Sequence, residues 1–161
     1  MEDKRLHTGM VTGHRMIRPD HLDIVKARAE IEFRRLIQKQ DVRYWGCGGA
    51  LGFDCLAAKI LMRLRDTEFP HIKVILVAPF PGYTSRWTDE QKATYAQMLP
   101  LYDKRVFVSQ TGSREAYLKR DRHLVDNSSI VIAYKTRASG GTAYTVRYAE
   151  HQNIPVINIA P

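Results

Sequence analysis

Apolar runs and helical patterns alternate along the whole chain. HTGMV (7–11), YWGC (44–47), KVILVAPF (73–80), RVFVS (105–109), IVIAY (130–134) and PVINIA (155–160) are short and bounded by polar or turn residues, so they read as strands. Several are continuously apolar rather than alternating, the pattern of strands buried on both faces of a parallel sheet. Between them the apolar period changes to three and four residues. From Leu22, the positions Val25, Ala29, Phe33 and Leu36 keep to one helical face, with Pro19 and Asp20 as a start signal. Phe53, Leu56, Ala57, Ile60, Leu61 and Leu64 make a cleaner stripe that needs a sheet to lie on. Further helices are expected over Thr88 to Leu99, Arg114 to Val125 and Thr142 to His151.

The order is therefore β-α repeated five times with a closing strand. It predicts an α/β fold: a Rossmann-like, three-layer open parallel sheet with helices on both faces and right-handed crossovers. No internal repeat, low-complexity segment or linker divides the chain, so a single domain over residues 1–161 is expected.

Composition narrows the setting. At 18.5 kDa the chain is long enough for one substantial core. No apolar stretch approaches the roughly 18 to 20 residues of a membrane span, and MEDKRLHTGMVTGHR has no signal-peptide core, so a soluble, cytoplasmic protein with no membrane partner is expected. Cys47 and Cys55 stand without a second pair or a histidine cluster. They are expected as buried thiols, with neither a disulfide framework nor a metal site. The formal net charge of +8 favours a phosphate-bearing partner, although many of the basic residues will be solvated helix faces.

In open parallel sheets, ligands bind beyond the carboxyl ends of the strands. Four loops there are unusual: Thr12-Gly13-His14-Arg15, the run Gly46 to Gly52 that includes Gly48, Gly49, Ala50 and Leu51, Pro79-Phe80-Pro81-Gly82, and Ser139-Gly140-Gly141-Thr142. Glycine lets backbone N–H groups approach an anion with no Cβ in the way, and the following helix adds its unsatisfied amides and partial positive charge. A phosphate or ribose-phosphate is the natural occupant, although tight strand-to-helix turns use the same residues. The spacing is neither GxGxxG nor a Walker A loop, so neither hydride transfer nor ATP hydrolysis is indicated and no cofactor is implied.

Two carboxylates stand out. Asp54, in the first turn of the glycine-led helix and off its apolar stripe, is placed to accept from ribose hydroxyls or a base; the helix N-terminus also favours an acid there. Asp121 falls on the apolar face of its helix among Tyr117, Leu118, Leu124 and Val125 and needs a partner, for which Arg120, Arg122, His14 and Arg15 are candidates. Arg86 and Trp87, beyond the proline-rich loop, offer a cation and a stacking face.

Taken together, TGHR, GGALGFDCLAA, RDRHLVDNSSIVIAY and SGGTAYTVRYAE resemble the YpsA-like branch of the SLOG superfamily over nearly the whole chain. The resemblance implies a Rossmann-like sheet and kinship with the LOG phosphoribohydrolases, which cleave the N-glycosidic bond of nucleoside monophosphates, and with DprA, which binds single-stranded DNA. For the YpsA-like branch it implies a binder or sensor of a nucleotide-like small molecule, dimeric in several members. It places Thr12, Gly13, His14 and Arg15, Gly48, Gly49, Gly52 and Asp54, Arg120, Arg122 and Asp126, and Gly140, Gly141 and Thr142 around one pocket. The LOG signature PGGxGTxxE carries a catalytic glutamate. Here the segment reads SGGTAYTVR, with Val146 and Arg147 in that region and Glu150 about a turn further on.

Three functions follow. A binder holds phosphate on the glycine loops, with Asp54 on ribose or base and His14 and Arg15 adding hydrogen bonds and charge. An N-glycosidic hydrolase would use Asp54 or Asp121 as its acid or base, stabilising oxocarbenium-like charge. A single-strand nucleic-acid binder, supported by the +8 charge and the DprA kinship, would need a basic track with exposed aromatics, and the sequence does not place Trp45, Trp87, Tyr83 and Tyr144 on one surface.

Overall fold

The computed structural model describes residues 2–161. Six strands, β1 (Thr8–Gly13), β2 (Tyr44–Cys47), β3 (Lys73–Ala78), β4 (Lys104–Phe107), β5 (Ile130–Tyr134) and β6 (Val156–Asn158), alternate with five helices. The helices are α1 (Leu22–Lys39), α2 (Phe53–Thr67), α3 (Asp89–Met98), α4 (Arg114–Asp126) and α5 (Gly141–His151). All strand pairs are parallel, in the order β4-β3-β2-β1-β5-β6. The register puts Gly9 opposite both Trp45 and Ile130.

Neighbouring residues on the inner strands feed opposite cores, which is why their sequences carry no polar alternation. Val11, Trp45, Leu76, Ile132 and Tyr134 pack against α1 and α2, with Phe33, Leu36, Phe53 and Leu61 from those helices. Met10, Val77, Val131 and Ala133 meet Leu124 and Val125 of α4 and Val146 and Ala149 of α5 on the other face. Trp45 is fully buried, its ring 5.0 Å from that of Phe33.

Element ends follow local chemistry. Strand β3 stops at Ala78, two residues before the expected end, because Pro79 has no N–H to extend the ladder. Helix α3 begins with a capping box in which Thr88 Oγ1 accepts from the Gln91 amide and Gln91 accepts from the Thr88 amide. Because the strands run parallel, the loops after β1, β2, β3 and β5 open along one edge.

Candidate functional site

That edge holds a cavity of about 600 Å³. Its walls come from the β1 loop (Thr12, Gly13, His14, Arg15), the glycine loop and α2 (Gly48, Ala50, Asp54), the start of α5 (Gly140, Gly141, Thr142) and α4 (Arg120, Asp121). Helices α2 and α5 are each led by a glycine in a positive-φ conformation (Gly52, φ 79°; Gly140, φ 95°); Gly140 lines the cavity, whereas Gly52 lies outside its walls and α2 reaches it through Asp54.

The first two loops fit together because neither carries a Cβ at the contact. A Cβ on Gly52 would lie 2.2 Å from the Arg15 carbonyl oxygen, and one on Gly13 would lie 2.5 Å from Phe53 Cβ. The Phe53 amide donates to the His14 carbonyl at 3.1 Å, so the start of α2 is bonded directly to the β1 loop. His14 is 4% exposed, and its Nε2 accepts from the Thr136 amide at 2.8 Å. The ring is therefore neutral with its proton on Nδ1. Burial, with Arg137 and Lys135 nearby, holds its pKa below the usual histidine value.

Of the partners open to Asp121, the structure selects Arg120. Its Nε donates to Asp121 Oδ1 at 2.7 Å while its Nη1 donates to the Gly48 carbonyl at 2.5 Å. Both side chains are buried. Burial pushes the Asp121 carboxyl up while Arg120 pulls it down, and burial wins. On the other side of the loop the Tyr83 hydroxyl donates to the Gly49 carbonyl at 3.0 Å. Two consecutive glycine carbonyls are thus fixed by side chains from α4 and from the turn after β3.

Asp54 is 6% exposed. Its Oδ2 accepts from the Ala50 amide at 3.4 Å, whereas its Oδ1 is buried with no hydrogen-bond partner. Desolvation, opposed by Arg120, pushes its pKa up to about 7. A carboxyl so placed exchanges its proton near neutral pH, and its Oδ1 is a buried acceptor left without a partner.

The remaining site expectations fall outside the cavity walls. Gly49 and Leu51 border a much smaller space on the far side of the loop, beside Trp87 and Tyr95. Pro79 is buried at the end of β3, while Arg86 and Ser139 are exposed. Arg122 donates to the Tyr144 hydroxyl at 3.0 Å and pairs with Glu115, and Asp126 accepts from the Tyr148 hydroxyl at 2.7 Å; both tie α4 to α5. Cys47 is a buried free thiol as expected. Cys55 is only half-buried, because α2 presents it towards α3, 3.2 Å from the Met98 sulfur. The aromatic residues required of a single-strand track are dispersed: Trp45 is in the core, Tyr83 is buried, Trp87 packs on Tyr83 and Tyr95, and only Tyr144 reaches the cavity.

Sequence reasoning overlooked Arg114, Arg137, Arg147, Tyr144 and Thr145 as walls of the cavity. With Arg15 and Arg120 this makes five arginines around it, and Arg15, Arg114 and Arg137 have no carboxylate partner among the described residues. Arg147 donates to the Ala138 carbonyl at 3.1 Å. A signal was present on α4: Arg114, Tyr117, Leu118 and Asp121 recur at helical spacing, but Tyr117 and Leu118 are half-buried cavity walls rather than core.

Fold and site together define a Rossmann-like protein with a carboxyl-edge cavity. The model of the YpsA family, described as the YspA SLOG family, matches residues 10–158, and the chain belongs to that family. It is 24% identical over 161 residues to a UPF0398 protein of Shouchella clausii, covering 92% of this chain and 84% of that one. It is 28% identical over 127 residues to the SPbeta prophage-derived protein YoqJ of Bacillus subtilis, covering 71% and 74%. Among solved structures, DNA processing protein A of Helicobacter pylori, described with its single-stranded DNA binding mode, is similar with a TM-score of 0.63 at 16% identity. DprA of Streptococcus pneumoniae gives 0.64 at 14%. These alignments cover 94% and 95% of this chain but only 64% and 50% of those longer proteins, and they speak to the fold alone. Among the described residues no helix is long and apolar enough to cross a membrane.

Proposed function

We propose that the protein binds a nucleotide or nucleotide-derived phosphate ligand in the carboxyl-edge cavity and acts as a sensor of it. The observation that carries this reading is the meeting of the glycine-led N-terminus of α5 and the glycine loop ahead of α2 with five arginines around one cavity of about 600 Å³. Helix N-termini and unpaired guanidinium groups both favour phosphate, and the volume lies in the range of small-molecule sites. In this reading Gly140, Gly141 and Thr142 with Arg137 hold one anionic group. Gly48 and Ala50 with Arg15 face the rest of the ligand, and the Asp54 carboxyl meets a ribose hydroxyl or base. A homodimer, as the resemblance implies, belongs to the same proposal and is checked by light scattering.

One observation favours a second reading, N-glycosidic hydrolysis. Asp54 is a cavity acid with a pKa of about 7 and an unpartnered oxygen, features of a general acid or base. Against it, Val146 and Arg147 stand where the LOG glutamate would be, and Arg147 brings positive charge to the wall. The readings separate in a thermal-shift panel of nucleoside mono- and diphosphates, nucleotide sugars and ADP-ribose, with chromatography of every hit. A ligand at about 100 times its Kd stabilises the fold by roughly 2.7 kcal/mol. Recovery of the ligand intact supports binding; free base with sugar phosphate establishes hydrolysis. A shift produced only by a single-stranded oligonucleotide overturns both.

A further inference from the structure

Strand β4 is one edge of the sheet, and the helices leave it open on the α4–α5 face. Helix α4 reaches β3, while α5 lies over β1, β5 and β6. A groove of about 340 Å³ remains towards the amino ends of the strands, divided from the carboxyl-edge cavity by Leu124, which lines both. Its floor is apolar, built from Ile75, Val77 and Val106. Leu124 of α4 forms its wall, packed so close to β2 that a Cβ on Gly46 would lie 2.7 Å from Leu124 Cδ2.

The rim has the opposite character. Lys4, Arg5, Lys73 and Lys104 line it, and none of them pairs with a carboxylate among the described residues. The acid beside them, Asp103, is already engaged: Arg65 Nη1 and the Val74 amide each donate to its Oδ2 at 2.8 Å. An apolar floor under uncompensated cations suits a ligand that joins the two chemistries, because each component alone leaves the other half of the groove unsatisfied.

We propose that this groove is a second binding site, which takes a free small amphipathic anion: an apolar body ending in a carboxylate, sulfonate or phosphate head. The body lies on Ile75 and Val106, and the head meets Lys73 and Lys104. A two-fold contact through the groove would set the four cations against their own images, which disfavours a second copy of this chain as occupant. The concave floor excludes a flat lipid surface, which would need an apolar protrusion rather than a hollow. Nucleic acid is disfavoured by the lack of a stacking face: the aromatic wall residue, Tyr44, already has Lys4 over its ring at 5.6 Å.

The probes are 8-anilinonaphthalene-1-sulfonate, followed by fluorescence, its neutral relative N-phenyl-1-naphthylamine, and decanoate as a competitor. The full chain is expected to bind the sulfonate saturably at one site and the neutral probe at least tenfold more weakly, with decanoate displacing the sulfonate. The double substitution Lys73→Glu with Lys104→Glu should weaken the sulfonate at least tenfold. Val106→Trp, which fills the floor while keeping the charges, should do the same. Methyl NMR should shift Ile75 and Val106 first. Equal affinity for both probes, or no change in either variant, overturns the proposal. So does displacement of the sulfonate by ADP with shifts at the carboxyl-edge cavity, or a change of oligomeric state in the charge-reversed variant.

Discussion

Arg120 holds Gly48 and Asp121 at once, through Nη1 to the glycine carbonyl at 2.5 Å and Nε to the carboxylate at 2.7 Å. One guanidinium on α4 thereby fixes the loop between β2 and α2. If that is its role, Arg120→Ala strands a buried carboxylate and an unsatisfied carbonyl, at a cost of about 3 to 5 kcal/mol in urea unfolding. Adding Asp121→Asn should restore a substantial part of the loss. An additive double mutant would mean that the pair is not coupled.

Gly52 and Gly82 offer a controlled comparison of strain with crowding. Both have positive φ, 79° and 83°, but a Cβ on Gly52 would meet the Arg15 carbonyl at 2.2 Å, whereas one on Gly82 meets nothing within 4 Å. Gly82→Ala should cost only the conformational penalty, about 1 to 2 kcal/mol. Gly52→Ala should cost about 3 kcal/mol or more, or prevent folding, because the two cavity loops must separate. Equal melting temperatures for the two variants would contradict the close contact.

Asp54 makes stability depend on pH in an unusual direction. The folded protein keeps its proton up to about pH 7. The unfolded chain releases it near pH 4. Between these values the folded state binds more protons, so this carboxyl lowers stability as pH rises. Asp54→Asn should therefore be close to neutral at pH 4 and stabilising by roughly 2 to 4 kcal/mol at pH 8, read from denaturant midpoints. A stability difference that does not vary with pH would show that Asp54 is ionised in the fold throughout.

His14 contributes the opposite slope. Its folded pKa lies below the unfolded value of 6.5, so its contribution is complete above that pH and is lost as pH falls towards the folded value. His14→Gln, which keeps an acceptor for the Thr136 amide, should flatten the acid side of the profile. An unchanged acid limb would mean that the imidazole is protonated without penalty.

The inner strands were legible in the sequence because strands buried on both faces carry few polar residues, and α1 and α2 showed because each has one apolar stripe; the exposed edge strand β4 and α3, where only Met98 is buried, carry neither pattern. The glycine loops were legible for a similar reason, since Gly48, Gly49 and Gly52 crowd the few residues between β2 and α2 and have no ordinary use in a helix or strand. Which arginines face the cavity was not legible. Arg114, Arg122 and Arg137 look alike in one dimension, yet Arg122 is engaged by Tyr144 and Glu115 while the other two line the cavity without an acid partner. The choice depends on how α4 and α5 are rotated against each other, a long-range packing outcome that spacing does not encode. The Asp121 partner was undecided for the same reason, and Asp54 could be placed in a first turn but not recognised as fully desolvated.

In the proposed function a nucleotide phosphate sits between the glycine loop ahead of α2 and the N-terminus of α5. The most direct test titrates the strongest hit from the nucleotide panel into ¹⁵N-labelled protein and follows the backbone amides. Saturable shifts are expected to be largest at Gly48, Ala50, Gly140, Gly141 and Thr142, with Arg137→Ser weakening binding at least tenfold. Shifts concentrated elsewhere, or none at ligand concentrations that raise the melting temperature, would contradict it.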